Sequence, residues 1–345
     1  MINEQLFHAI VKDKATFKIV TKTRNESFFI EKWIQHHLAI VPGSRLIIFD
    51  NLSDEKVVHD VYKKYAERIL LVKFEGYMDC IHMAHHSLWL YQALAASSDF
   101  FTIIDSDEYL YLYDGHRLVH DASIGTFLRA NTDCNFFAPC WLENLDQNAN
   151  TFHYNPDNMF YYNYGKVILN SRLTEVYEKA VAANEYTVLH HTCQLPAGMA
   201  CGKSKTRFVL AHLKNLNRYQ RIKANMTKLV SLGKVRHPMD FASLLKLDPE
   251  EIKEANSRRY VNETKNLVEK LRDTNTDRSA HSGSGFVTIN DDLSLKFTPE
   301  ELKENFRTAM NSDYFDLIHF SPDTADINSF ATIAACQNKA ADTKA

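Results

Sequence analysis

Asp105, Asp107 and Glu108 put three carboxylates within four positions, directly after the apolar run Phe100-Phe101-Thr102-Ile103-Ile104. That run has the length and composition of a buried strand, so the carboxylates fall at a strand end. Carboxylate oxygens suit hard cations such as Mg²⁺ and Mn²⁺, which complete their shell with water and substrate phosphates. In open α/β sheets, ligands bind beyond the carboxyl ends of the strands. The spacing therefore suits a divalent cation that grips a diphosphate. A solvated strand end is the plainer reading, and the surrounding elements must decide between the two.

Other patterns carry less. His82 and His86 have the helical spacing of a zinc pair, but no HExxH glutamate accompanies them and no third ligand is evident. Residues 198–204 nearly spell a phosphate-binding P-loop, with three residues between the glycines where the motif needs four and a β-rich run where it needs a helix. The mixed charges from Asp248 to Arg272 read as a solvated helical face. The six cysteines show no CxxC pair and are expected to be free thiols in a reducing compartment.

The elements that position the acidic triplet alternate. Residues 17–21 read as a strand and 26–38 as a helix, with Phe29, Ile30, Trp33, Ile34 and His37 at helical spacing. A second strand over 46–49 is followed by a helix to about residue 66, with Ser53 as its expected N-cap. Residues 69–74 and 80–96 repeat the unit, and 100–104 runs into Asp105. Such alternation predicts an α/β fold with a mostly parallel sheet flanked by helices. Beyond residue 112 the chain is irregular and aromatic-rich, with strands expected at 186–190 and 207–212. Residues 217–272 read as helical, 274–285 as a linker, and Thr298-Pro299-Glu300-Glu301 as the start of a short helix.

A chain of 345 residues with 45% hydrophobic content can bury a full core. Its formal net charge of −3 lacks the concentrated basic field that nucleic acid or an anionic membrane demands. No apolar run approaches the roughly 20 residues that span a bilayer, and the first residues lack a signal-peptide pattern. A cytoplasmic location is expected, with peripheral association at the inner face of the membrane open.

Ordered motifs then extend the case. Arg24-Asn25-Glu26, Glu31-Lys32-Trp33-Ile34-Gln35-His36-His37 and Asp50-Asn51-Leu52-Ser53-Asp54 resemble the opening of family-2-like and family-92-like GT-A glycosyltransferases. Asp105-Ser106-Asp107-Glu108-Tyr109-Leu110 is similar to that family's D-x-D-E-F-L, with Tyr109 for the commoner Phe. Lys166-Val167-Ile168, His190-His191 and the stretch from Ala211 to Lys223 resemble its later segments, the last in divergent form. The resemblance spans about residues 17 to 223.

It implies a GT-A domain over 1–225; composition and capping signals add a helical appendage over 226–273, and a linker, short helix and disordered tail over 274–345. It implies a nucleotide-sugar donor, a UDP-sugar being the first candidate, a glycan or lipid-linked acceptor, and a role in cell-surface polysaccharide synthesis. Thr21, Arg24, Glu26 and Asp50 are the implied nucleotide contacts. Asp105, Asp107 and His212 are the implied ligands of Mn²⁺ or Mg²⁺. Lys203, Lys205 and Arg207 are candidates to close over the diphosphate. For an inverting hexosyl transfer, Glu143 and Asp146 are the candidate bases, beside Trp141 as a sugar-stacking surface. Two other readings use the same edge: a nucleotidyltransferase, which normally has a glycine-rich loop that Thr21 to Ser27 lacks, and a silent sugar-binding protein, which would have lost these ligands.

Overall fold

Leu46-Ile47-Ile48-Phe49 offers no polar face, and in the computed structural model all four residues are buried within a sheet covered on both sides. The structure describes residues 4–76, 78–82, 84–145, 148–156, 166–182, 202–214, 217–272 and 285–313. The expected strand at 186–190, the His190-His191 segment and nearly all of the expected linker lie outside them, as does the chain beyond residue 313.

The first half alternates as its periodicity predicts. It runs α1 (Glu4–Lys12), β1 (Ala15–Thr23), α2 (Ile30–Ile40), β2 (Leu46–Asp50), α3 (Lys56–Tyr65), β3 (Leu70–Lys73), α4 (Ala84–Ser97) and β4 (Ser98–Ile103). Then come β5 (Glu108–Tyr113), β6 (Leu118–Val119), α5 (Ser123–Arg129), β7 (Phe136–Phe137), β8 (Cys140–Glu143), β9 (Thr151–Tyr154), β10 (Ile168–Asn170) and α6 (Thr174–Ala182). The remainder comprises β11 (Ser204–Lys205), β12 (Phe208–His212), α7 (Arg218–Ser231), α8 (Phe241–Lys246), α9 (Ala255–Arg272), β13 (Gly285–Ile289), β14 (Leu295–Thr298) and α10 (Leu302–Met310).

The main sheet has the order β11-β7-β10-β4-β1-β2-β3, and β3, β2, β1 and β4 are mutually parallel. From β1 the chain moves outward through β2 to β3, then crosses back to place β4 on the other side of β1. That reversal is a topological switch point, and the crevice it opens lies between the carboxyl ends of β1 and β4. A second sheet, β6-β5-β12-β8, holds Glu108, His212 and Glu143 in one register row, with His212 opposite both.

Two helix starts differ from expectation. Helix α2 begins at Ile30, after a turn in which the Glu26 carboxylate accepts the amides of Phe28 and Phe29 at 3.3 Å each. Helix α3 begins at Lys56, and Ser53 is not its cap, because the Ser53 hydroxyl turns back to Asp50. Instead Asn25, from the turn after β1, accepts the amides of Asp54 and Glu55 at 2.9 and 3.2 Å. Asn25 itself holds a left-handed φ of 52°, a conformation that asparagine tolerates better than most residues.

The C-terminal third departs further from the reading of appendage and tail. Helices α7, α8 and α9 share a core of Ile222, Met226, Leu229, Leu244, Tyr260 and Val261, so this unit begins at Arg218. Strands β13 and β14 form a hairpin that pairs with β9, and Val287, Phe297, Phe306 and Met310 enter the main hydrophobic core. Residues 285–313 are thus part of the body that carries the acidic triplet.

Candidate active site

The strand ladder does the first step of assembly. Val20 pairs with Ile103, so Lys22, near the end of β1, and Asp105, just past the end of β4, come side by side. Lys22 Nζ donates to Asp105 Oδ1 at 3.0 Å, and Lys166 Nζ donates to Asp105 Oδ2 at 3.0 Å. His82 Nε2 stands 3.8 Å from the same carboxylate. Burial alone would raise the Asp105 pKa, but Lys166 and Lys22 hold it well below the usual carboxylate range. Glu108 accepts the Asp105 amide at 2.7 Å. Burial and the Asp105 charge, opposed by Lys166, push its pKa up to about 7.

Asp107 has different company. His212 Nε2 lies 3.3 Å from Asp107 Oδ2, and Arg221 Nη1 lies 3.8 Å from that same oxygen. The Leu213 amide donates to the Asp107 carbonyl at 2.9 Å, which locks the end of β12 to the triplet. Burial would raise the Asp107 pKa, yet His212 draws it down to about 2, and Asp107 in turn raises that of His212. The His212 ring stacks on Trp141 with centroids 5.1 Å apart. Among the described residues its Nδ1 has no hydrogen bond, and it lies 3.9 Å from Glu143 Oε1. Glu143 accepts from Lys214 Nζ at 2.8 Å, and that ammonium outweighs burial and holds the carboxyl below its ordinary range.

On the β1 side, Glu26 faces the same charge. Burial and the nearby Asp107 push its pKa up to about 7. Arg24 reaches Asn51 Oδ1 at 3.5 Å through Nη1, while its Nε is buried without a partner. The Tyr109 hydroxyl is also buried and, among the described residues, unpartnered. Buried polar atoms are normally satisfied, so two orphans, Arg24 Nε and the Tyr109 hydroxyl, make this side of the crevice a candidate for a polar ligand.

Several expected site residues stand elsewhere. Thr21 is 0% exposed within the sheet, its hydroxyl turned toward the Lys22 carbonyl, so it does not face the crevice. Asp50 is 1% exposed, and its carboxylate is spent on Ser53 and on the Tyr62 hydroxyl at 3.0 Å. Lys203, Lys205 and Arg207 sit at the wrong end of β12. Arg207 precedes His212 by five residues, roughly 16 Å of extended strand. The three side chains are occupied by Asp133, Asn131 and Asn311. They are no lid over the triplet. Asp146 lies outside the described residues.

Among the described residues, no three of His, Cys, Asp and Glu converge as a complete metal cage. Asp105 does not fit as a ligand, because its two oxygens already meet two lysines. Asp107 and His212 do fit: their donor atoms are close enough to share one ion, and a hard cation held by one or two protein donors draws the rest of its shell from phosphates and water. The groups that sequence reasoning missed are mostly cationic. Lys214, Arg221 and Lys223 fall within the divergent stretch from Ala211 to Lys223, but the resemblance gives none of them a role, and each, like Lys22, owes its place to a partner remote in sequence or to the strand ladder. For Lys22 the signal was available, since it stands two positions before the Arg24-Asn25-Glu26 turn.

No family model and no curated protein matches the chain. Among solved structures, the chain is similar to S. aureus TarS 1-349 in complex with UDP, at 11% identity over 81% of this chain and 98% of that one, with a TM-score of 0.34. It is similar to the mannosyltransferase PcManGT from Pyrobaculum calidifontis in complex with GDP-Man and Mn²⁺, at 13% identity over 76% of each chain and a TM-score of 0.36. It is also similar to 4-diphosphocytidyl-2C-methyl-D-erythritol synthase from Anaerococcus prevotii, at 15% identity over 64% of this chain and 98% of that one, with a TM-score of 0.34. Scores this low carry no weight for function, which rests on the residues at the crevice.

Proposed function

We propose that the chain is a metal-dependent GT-A glycosyltransferase that moves a sugar from a nucleotide-sugar, a UDP-sugar first, to a glycan or lipid-linked acceptor in cell-surface polysaccharide synthesis. The observation that carries this reading is the Asp107 and His212 pair, 3.3 Å apart at the switch point of a parallel sheet and bordered by unpartnered polar atoms. A carboxylate and an imidazole at that edge match the demands of a cation that bridges a diphosphate.

In this reading Asp107 and His212 hold Mn²⁺ or Mg²⁺, which when bound neutralises the charge of the departing nucleoside diphosphate. Lys22 and Lys166 keep Asp105 ionised and fixed, so that the loop carrying Asp107 keeps its shape. Arg24 and Glu26 face the nucleotide. Trp141, stacked on His212, offers a ring face to a sugar. Glu143 takes the acceptor hydroxyl's proton in an inverting transfer, with Lys214 as its counter-ion. A base works best with a pKa near the working pH, so Lys214 must turn from Glu143 toward the substrate as the acceptor binds. No helix among the described residues is long and apolar enough to cross a membrane, and the proposal puts the enzyme in the cytoplasm, at the membrane periphery where lipid-linked acceptors are found.

The test is calorimetric titration of UDP and GDP with Mn²⁺ into the wild type and into Asp107→Ala. The wild type is expected to bind one of them, and loss of the ligand carboxylate to weaken it by about a hundredfold, the cost of truncating one partner of a buried charge pair. Absence of any nucleoside diphosphate binding by the wild type would end the glycosyltransferase reading.

A further inference from the structure

The two cations that tie helix α7 to the sheet edge come from a unit with its own core. Lys223 ion-pairs with Glu55 and points Nζ at the Asn25 carbonyl 3.5 Å away, so it fastens α7 to the turns that follow β1 and β2. Two residues earlier, Arg221 donates from Nε to Glu263 of α9 at 2.9 Å and holds Nη1 3.8 Å from Asp107. The helical unit therefore lies across the mouth of the crevice.

Arg221 is a guanidinium with five N–H groups and one hydrogen bond. Its Nε is committed to Glu263, whereas Nη1 and Nη2 make no hydrogen bond among the described residues, and 3.8 Å to Asp107 is an ion pair without one. A planar fork held at its base and open at its tip is the geometry of bidentate phosphate recognition. We infer that Arg221 of the helical unit is the residue that grips the diphosphate of the donor, and that Glu263 is a positioning residue that aims it. This rests on the glycosyltransferase reading and gives the helical unit a share in the active site. It also supplies what Lys203, Lys205 and Arg207 cannot: a cation at the acidic pair. Were Asp107 engaged by a cation, Arg221 Nη1 would lose its carboxylate neighbour at 3.8 Å, and the fork would be open to phosphate oxygens.

The experiment measures UDP binding with Mn²⁺ by calorimetry and uridine binding by ligand-observed NMR, for wild type, Arg221→Gln, Arg221→Lys, Glu263→Gln and Asp107→Ala. Arg221→Gln is expected to weaken UDP by about tenfold to a hundredfold, the worth of a charge-assisted pair, and to leave uridine unchanged. Arg221→Lys keeps the charge but not the fork and should fall between. Glu263→Gln should weaken UDP by less than Arg221→Gln and again spare uridine, a split that a merely structural role would not produce. Circular-dichroism melts check folding, and Arg221→Lys carries the test if Arg221→Gln does not fold. UDP binding as tight as wild type in both Arg221 variants, with Asp107→Ala still impaired, would overturn the inference and leave the function standing. Failure of the wild type to bind UDP or GDP would sink both.

Discussion

Asp105 and Asp107 are two positions apart and do different work. Asp105 is the counter-ion of Lys22 and Lys166, whose side chains are each 4% exposed, while Asp107 meets His212 and Arg221. Asp105→Ala removes the counter-ion that two buried ammonium groups share, Lys166 keeping only Glu108 at 3.9 Å as a second carboxylate, and is expected to cost about 2–3 kcal/mol in urea unfolding. That is less than for a dry pair, because a third of the Asp105 side chain still meets water. Asp107→Ala takes a carboxylate from His212 and Arg221, but it relieves the charge next to Glu26 and leaves Arg221 with Glu263, so it should cost less than Asp105→Ala. Equal losses in the two variants would contradict this division. The triplet was legible in the sequence, but its division of labour was not: the partners of Asp105 stand 83 and 61 positions away, and only the β1–β4 ladder and the return of the chain after the aromatic region bring them together.

Among the elements, β1 to β4 could be read directly because each is an apolar run bounded by polar turns, and burial on both faces demands that pattern. The boundaries of α2 and α3 could not, since Glu26 and Asn25 cap by reaching back to a turn or across to another strand end. The hairpin β13–β14 was missed because Val287, Ile289 and Phe297 sit in short strands between polar residues, and their burial depends on pairing with β9 far upstream. Phe306 tests its importance. The ring is 0% exposed and packs edge-on against Tyr113 and at 5.2 Å from Phe297, so Phe306→Ala is expected to destabilise the sheet-bearing body by about 3–5 kcal/mol. A melting curve unchanged from wild type would mean that residues 285–313 do not contribute to that core.

For the whole molecule, proton linkage behind the triplet sets an acid limit. His37 is buried under β5, with Nδ1 donating to the Trp33 carbonyl at 2.9 Å and Nε2 accepting the Leu110 amide at 3.4 Å. Burial pushes its pKa down to about 3, and burial together with His37 and His120 lowers that of His36. Below an ordinary value of 6.5 the unfolded chain binds a proton at His37 that the folded chain refuses. This contribution to stability is therefore complete above pH 6.5 and lost progressively as pH falls toward 3. In urea titrations between pH 6.5 and 4.5, His37→Gln should lose stability less steeply than wild type, by about 1.4 kcal/mol per pH unit; parallel slopes would refute the assignment. The register of β12 has a consequence on the same scale. It is held by β5 on one side and β8 on the other, and a shift of one residue would turn His212 to the opposite face and bring Ala211 or Leu213 to the acidic edge. Length changes in the chain are therefore not equivalent. An insertion beyond the strand ends alters only a loop, whereas one inserted residue within Phe208–His212 exchanges an imidazole for a hydrocarbon, a frameshift in space that leaves every other residue identity intact.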